Sequence, residues 1–250
     1  MNPSRLPAIP DKAGGDLTAG RRGFLKWSSA ALVGALAFGG KLPGLSLDQA
    51  FAQSPGGAAM AKAVDLGEGD VGILNYAYAL EQLEAAFYSQ VIKTPYANMA
   101  SADRDILTGI RDHEIAHREF FKAALKKNAI PGLDVDFSKV DFNDRSSVLT
   151  TAMTFEDLGV AAYNGAGQML EKGEYLLLAG KIVSVEARHA AAIGYLMRTG
   201  TGASNATTGS GSNNASVVNE KGLDQALMPS DVLSKAGPFV KTPITADDIG

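Results

Sequence analysis

The sequence carries the pattern Glu-x-x-His twice, at Glu114–His117 and at Glu186–His189. Of the 3 histidines in the chain, two stand three residues after a glutamate. Residues three apart lie on the same face of an α-helix. Both patterns interrupt a stripe of apolar residues at helical spacing, where a carboxylate is costly to bury unless it is paired or bound to a metal ion. The two patterns therefore predict helices whose inner faces carry ligands.

Apolar residues at helical spacing predict a first pair of helices and a link after them. Helix one runs from Asp70 to about Lys93. Helix two begins at Ser101, a good N-cap residue, and ends before Pro131-Gly132. Residues 132 to 146 lose the periodicity and are rich in aspartate. They predict an extended connection that can cross the length of a helix bundle.

A second pair of helices follows the link. Helix three should begin near Asp144 and run through Met169, and Gly173 should break it from helix four, which continues to Leu196. Residues 199 to 219 are rich in Gly, Ser, Thr and Asn and predict a flexible loop. The last thirty residues regain apolar side chains and predict a short helix and an arm. The expected fold is all-α: a four-helix bundle with one long crossover and a short C-terminal helix.

Two further glutamates, Glu81 and Glu156, interrupt the apolar stripes of helices one and three. A tyrosine follows each of them by seven residues, at Tyr88 and Tyr163. An offset of 75 residues places Glu81 on Glu156, so the two halves of the bundle repeat one another. A bundle with salt bridges on its helix surfaces, which is the simplest alternative, needs neither regularity.

The composition narrows the chemistry of any site. A total of 23 Lys+Arg against 27 Asp+Glu gives a formal charge of -4, which is too little positive charge for a general nucleic-acid binder. The chain has 0 cysteines, which excludes disulfides, thiolate zinc sites and iron–sulfur clusters. Hydrophobic residues make up 46% of the chain, enough for a sizeable core. Because the chain has no cysteine, any metal must be held by oxygen and nitrogen ligands.

One glutamate from each of two helices plus Glu-x-x-His from each of the other two resembles the ligand set of the ferritin-like di-iron and di-manganese carboxylate proteins. The resemblance covers about residues 68 to 198. It implies a ferritin-like four-helix bundle that binds two iron ions, with manganese as the alternative. The ligands that it implies are Glu81, Glu114, His117, Glu156, Glu186 and His189.

The resemblance also implies roles for these residues. The glutamates of the two Glu-x-x-His patterns would bridge the ions, and the other ligands would each bind one ion. Tyr88 and Tyr163 would fix the orientation of ligands. Glu84, three residues after Glu81, is an extra ligand or an acid beside the ligands. Its counterpart at the 75-residue offset is Gly159, so the symmetry favours Glu81 as the ligand.

Three polar residues stand beside the implied ligands. His113 points about 100° away from Glu114 on an ideal helix, which predicts an exposed or capping histidine. Asp112 and Arg188 either contact the ligands or belong to a solvated face. Related di-iron enzymes often have aspartate directly before the ligand glutamate, whereas His113 and Val185 stand there in this chain. That departure argues against oxygen-activating hydroxylase chemistry.

The N-terminal residues have the layout of an export signal. Arg21-Arg22 precede a modest apolar stretch from about Trp27 to Gly40. This stretch is shorter than the ~20 residues of a spanning helix, although an uncleaved anchor is the alternative. The run around Arg21 and Arg22 resembles the twin-arginine signal, which implies transport by that machinery to the periplasm or cell envelope. The chain is thus divided into a signal and leader (1–52), a bundle (53–198) and a loop with a C-terminal arm (199–250).

These patterns together predict an exported di-metal oxidoreductase of ferroxidase, peroxidase or catalase type, acting on Fe(II), oxygen or peroxide in metal or oxidative stress. The sequence shows no pyridine-nucleotide loop or nucleophile elbow, so reductant must come from a partner or from the substrate. The first alternative is a metal-stabilised envelope module that binds or protects without catalysis. The second is iron storage in an oligomeric shell.

Overall fold

A computed structural model describes residues 63–199 and 217–249. Within them lie the helices α1 (Gly69–Lys93), α2 (Ser101–Leu125), α3 (Arg145–Gly167), α4 (Gly173–Thr199) and α5 (Pro229–Ala236). The structure also contains two 3-10 turns, Lys126–Asn128 and Gly237–Phe239. It has two short strands, β1 (Val64–Asp65) and β2 (Ile244–Thr245). The predicted export signal, and residues 200–216 of the predicted flexible loop, lie outside the described residues.

The four long helices form a bundle of two pairs, α1 with α2 and α3 with α4. Helices α1 and α3 bury residues around most of their circumference, whereas α2 and α4 bury one stripe each. Helices α1 and α3 also pack against one another, and so do α2 and α4. The predicted all-α bundle is confirmed.

Helix boundaries follow the sequence signals with small corrections. Helix three begins near Asp144 as predicted, and Asp144 is the N-cap of α3, because its side chain accepts hydrogen bonds from the backbone N–H groups of Ser146 and Ser147. The prediction that Ser101 caps α2 is wrong by one residue. Ala100 holds the extended backbone of the cap, with φ -65° and ψ 148°, and Ser101 is the first helical residue.

The break between helices three and four also differs from the prediction. Helix α3 ends at Gly167, before Met169, and Gly173 is the first residue of α4 instead of the residue that ends a helix. Gly173 does not adopt the left-handed conformation with which glycine commonly ends a helix. Gly173 therefore lies in the region where the break was predicted, but it begins the second helix instead of ending the first.

The long crossover between α2 and α3 is present and is held by polar side chains of α1. The buried Asn75 amide accepts a hydrogen bond from the Ile130 N–H at 3.0 Å and donates one to the Asn128 carbonyl at 2.9 Å. Gln82 accepts a hydrogen bond from the Leu133 N–H at 2.9 Å. These bonds fix the start of the crossover against the helix that carries Glu81.

The C-terminal arm lies across α3. The Leu227 N–H donates to the Ala161 carbonyl at 3.0 Å. Here the arm comes so close that a Cβ atom on Gly165 would lie 1.8 Å from the Leu227 carbonyl oxygen, so glycine is required. Strand β2 then pairs in parallel with β1. Among the described residues, no helix is both long enough and apolar enough to cross a membrane.

Candidate metal centre

The six implied ligands come together in the middle of the bundle, in two groups of four side chains. Within each group, one potential ligand atom per residue lies within 4.8 Å of all the others. The first group is Glu81, Glu114, His117 and Glu186, and the second is Glu114, Glu156, Glu186 and His189. Two glutamates are therefore shared by both groups.

Each shared glutamate directs one carboxylate oxygen toward each group. Glu186 places Oε1 3.0 Å from His117 Nδ1 and Oε2 3.7 Å from His189 Nδ1. Glu114 does the same in reverse, with Oε2 3.5 Å from His117 Nδ1 and Oε1 2.7 Å from His189 Nδ1. This is the arrangement of two carboxylates that can bridge a pair of ions.

The two unshared glutamates each have one oxygen in a group and one bound to a tyrosine. Glu81 Oε2 lies 3.4 Å from His117 Nδ1, and its Oε1 accepts a hydrogen bond from the Tyr163 hydroxyl. Glu156 is arranged in the same way in the second group, with its Oε1 accepting a 2.5 Å hydrogen bond from the Tyr88 hydroxyl. Each tyrosine thus holds the glutamate of the opposite helix, which leaves one oxygen free to bind an ion.

The side-chain atoms that face one another here are buried and lack well-formed hydrogen bonds. All four glutamates are 0% exposed, and in the described part of the chain the facing carboxylate oxygens and the Nδ1 atoms of the two histidines have the N···O contacts given above but no partner with hydrogen-bond geometry. Such atoms are expensive to leave unsatisfied. Ligands bind a metal at about 2.0–2.2 Å, so two on opposite sides of it lie roughly 4.4 Å apart, which agrees with the spread of each group. The donor set therefore fits metal ions.

Comparison with known protein families agrees with this geometry. A profile of the ferritin-like domain matches residues 69–199, which is just over half of the chain. The chain belongs to the ferritin-like family. The match covers α1 to α4 from end to end and so includes both ligand groups of the ferritin-like site. No curated protein matches the chain.

Burial and mutual proximity set the charges in the ferritin-like site. Burial raises the pKa of the Glu81 carboxyl well above its ordinary value. Burial alone would lower the pKa of His117, but the adjoining carboxylates of Glu114 and Glu186 outweigh it and raise that pKa to about 12. The same balance raises the pKa of His189 to about 11. Protons thus supply positive charge among the carboxylates, and divalent cations can take their place.

Glu84 lies beside the ferritin-like site but, within the described residues, in neither ligand group. It is 4% exposed, and its Oε1 faces Gly159, its counterpart at the 75-residue offset. A Cβ atom on Gly159 would lie 3.3 Å from Glu84 Oε1 and 3.7 Å from Glu186 Oε2. Burial raises the pKa of Glu84 well above its ordinary value. The structure therefore brings Glu81 into the first group and leaves Glu84 next to it as a buried acid outside the ligands.

The contact between His113 and His189 was not predicted from the sequence. His113 is exposed, as expected, but it does not cap a helix: its Nδ1 lies 2.9 Å from His189 Nε2, and the two rings stack 5.2 Å apart. If His189 binds an ion through Nδ1, its Nε2–H donates to His113 and fixes the ring orientation. The helical wheel of α2 could not show this, because the contact depends on how α2 packs against α4.

The other two polar neighbours lie on the solvated face. Asp112 forms a 2.7 Å ion pair with Arg111 and has a 59% exposed side chain. Arg188 is also exposed. Of the two readings that the sequence left open for these residues, their exposure favours the surface one.

Proposed function

We propose that this ferritin-like protein binds two iron ions between its four helices and acts as an oxidoreductase on Fe(II), oxygen or peroxide in metal or oxidative stress. The observation that carries the proposal is the pair of shared glutamates, each with one oxygen in either ligand group. Two such carboxylates would hold a pair of ions between the four helices. Manganese is the alternative metal, because hard oxygen ligands with one imidazole per ion suit both.

The charge of the site supports a pair of divalent ions. Four ionised glutamates balance two divalent cations, which keeps a buried site near neutrality. Glu84 lies outside both ligand groups of the described residues, and burial raises the pKa of its carboxyl. When bound, a pair of Fe(II) ions held by these ligands would supply the redox chemistry toward dioxygen or peroxide.

The protein's own residues position the ions and exclude water. The two tyrosines hold Glu81 and Glu156 from opposite helices, so each carboxylate is oriented before an ion arrives. The apolar core around the ligands keeps bulk water away from the reacting groups. Electrons come from Fe(II) itself or from a partner protein.

Export through the twin-arginine machinery is part of the proposal and rests on residues 1–52 alone. A paired substitution of Arg21 and Arg22 by lysine should leave the protein in the cytoplasm, whereas the natural chain should reach the periplasm or cell envelope. Cell fractionation with an antibody measures both. Equal export of the two forms would remove this part of the proposal without touching the metal site.

Elemental analysis of the protein purified from its native host tests the metal. The expected result is two iron ions, or two manganese ions, per chain, and a protein free of both contradicts the proposal. Glu81→Gln keeps the size of the side chain but removes its charge and should lower the metal content, whereas Glu119→Gln on the exposed face of α2 is the matched control.

Activity assays then separate the reaction types. Fe(II) oxidation by dioxygen, Fe(II) oxidation by peroxide and peroxide disproportionation are measured on the same metal-loaded sample. If the metal-loaded protein is inert in all three, and Glu81→Gln only lowers the melting temperature, the ions are structural and the protein is the non-catalytic envelope module.

A further inference from the structure

A small cavity lies at the end of the bundle where α1 and α4 begin and α2 and α3 end. Its volume is about 40 Å³. Its inner wall includes Ala77 and Leu80 of α1 and Ala162 and Tyr163 of α3. Ala124 of α2, which is exposed, also lines it, so the cavity reaches the protein surface.

The cavity is one side chain away from the metal centre. The ring of Tyr163 forms part of its wall, and the hydroxyl of the same residue donates a hydrogen bond to Glu81. Leu80 directly precedes Glu81 in α1. A molecule in the cavity therefore lies next to the first ligand group.

The opposite end of the bundle is filled at the equivalent positions. The 75-residue offset places Phe87 on Ala162 and Leu80 on Phe155. Phe87 and Phe155 pack edge to face, with ring centroids 5.1 Å apart, around Tyr88, the counterpart of Tyr163. The cavity exists because small or aliphatic side chains stand where the other half of the repeat has phenylalanine.

The size of the cavity limits what it can hold. A cavity that binds benzene measures roughly 150 Å³, and one water needs about 10–15 Å³. A volume of about 40 Å³ therefore admits a molecule of two or three heavy atoms and is too small for one the size of benzene.

The walls of the cavity favour an apolar molecule. The side chains around it are alanine, leucine, isoleucine and aromatic rings, and the Tyr163 hydroxyl is already bound to Glu81. The buried Tyr76 hydroxyl has no partner in the described part of the chain and could satisfy one hydrogen bond. Hydrogen peroxide would lose most of its hydrogen bonds to water on entering, whereas dioxygen has almost none to lose.

We propose that this cavity is a dioxygen site that delivers the oxidant to the metal centre past Tyr163. Delivery of dioxygen has a role only if the proposed function is correct, so the proposal rests on it. Filling of the cavity by a small apolar molecule, however, does not require a metal ion. The two can therefore fail separately.

Xenon, which binds in apolar cavities, probes the site directly. Crystals of the full chain, as purified, are pressurised with xenon and the anomalous scattering is measured. The expected result is a xenon peak beside Tyr163, Ala77 and Ala162. Ala162→Leu, which adds three heavy atoms and so matches the size of the cavity, should abolish the peak. Absence of xenon from the natural cavity, or an equal peak in a folded Ala162→Leu protein, overturns the proposal.

A kinetic measurement tests delivery. Oxidation of bound Fe(II) is followed at several dioxygen concentrations, and Ala162→Leu should raise the half-saturating dioxygen concentration several-fold while leaving peroxide-driven oxidation within about twofold. Equal slowing of both reactions, or no change in either, overturns the proposal. If Ala162→Leu does not fold, Ala179→Leu fills the cavity from α4, where the side chain is only half-buried. Ala123→Leu, exposed on α2 and outside the lining, is the control.

The outcomes also separate this proposal from the proposed function. A protein without iron or manganese that still binds xenon beside Tyr163 retains the cavity site and loses the oxidoreductase. A metal-loaded, active protein that excludes xenon retains the oxidoreductase and loses the dioxygen site.

Discussion

The two ends of the bundle carry the same ligands in different surroundings. At one end, Tyr88 holds Glu156 beneath a cluster of phenylalanine rings, to which Phe239 of the C-terminal segment is added with its centroid 4.8 Å from that of Phe155. At the other end, Tyr163 holds Glu81 beside a cavity. The repeated metal chemistry constrains the ligands, whereas the residues around them are free to diverge. The two ion positions are therefore expected to differ in access and in affinity.

The largest effect is expected from removing a shared ligand. Glu186→Ala should lose both ions, because Glu186 contributes an oxygen to each group. Glu81→Ala should lose the ion of the first group and retain much of the other, since Glu81 belongs to the first group alone. Elemental analysis after gel filtration measures both. Equal losses in the two variants would show that the groups do not bind ions separately.

A strong pH dependence of metal affinity comes next. The pKa of His117 is raised to about 12 and that of His189 to about 11, so both imidazoles hold a proton at neutral pH when no ion is bound. An ion needs the neutral imidazole, so each binding step releases a proton and affinity should rise about tenfold per pH unit for each proton released. Calorimetry in buffers of different ionisation enthalpy counts the protons. Affinity that is constant from pH 6 to pH 8 would contradict these protonation states.

Gly165→Ala should destabilise the cavity end of the bundle, where α3 ends and the C-terminal arm crosses it. The added Cβ would lie 1.8 Å from the Leu227 carbonyl oxygen, so the C-terminal arm must move away from α3. Overpacking of this kind costs about 1–3 kcal/mol of unfolding free energy. Gly109→Ala is the control, because nothing lies within 4 Å of its added Cβ and alanine favours helix. Thermal unfolding should show a lower melting temperature only for Gly165→Ala; an unchanged value would mean that the arm is not tightly seated.

A smaller effect, confined to one ion, is expected at His113. His113→Ala removes the hydrogen-bond partner of His189 and should weaken the second ion position about tenfold, the lower end of the usual range for such partners. The first position should keep its affinity. His113→Asn retains an acceptor near the place of Nδ1 and should restore part of the loss. A two-step metal titration resolves the positions, and equal weakening of both would assign His113 a general structural role.

Much of the fold could be predicted because the periodic stripes of α1 to α4 are long and their ligands interrupt them at fixed places. The six ligands and two tyrosines share the inner faces of their own helices, so spacing along each helix together with the resemblance to the ferritin-like ligand set was enough to select them. The contact of His113 with His189 and the close approach of Leu227 to Gly165 depend on packing between separate segments, which no single periodicity contains. Ser101 was wrong by one residue, and Gly173 begins α4 instead of ending α3, because helix ends fray and are less sharply defined than helix interiors.

The sequence contains an indication of the cavity, since Ala162 is the equivalent of Phe87 at the 75-residue offset. That difference had no meaning until the structure showed Phe87 inside an aromatic cluster and Ala162 on a cavity wall. Comparing the halves of an internal repeat position by position therefore identifies more than shared ligands. It also identifies where the halves have taken different roles.

The most direct test of the metal centre is anomalous diffraction from crystals of the protein as purified from its native host, collected on both sides of the iron and manganese absorption edges. The account predicts two peaks inside the bundle, each within coordination distance of one histidine and both contacted by Glu114 and Glu186. A crystal in which these carboxylates surround no metal, or in which a single ion lies outside them, would contradict it.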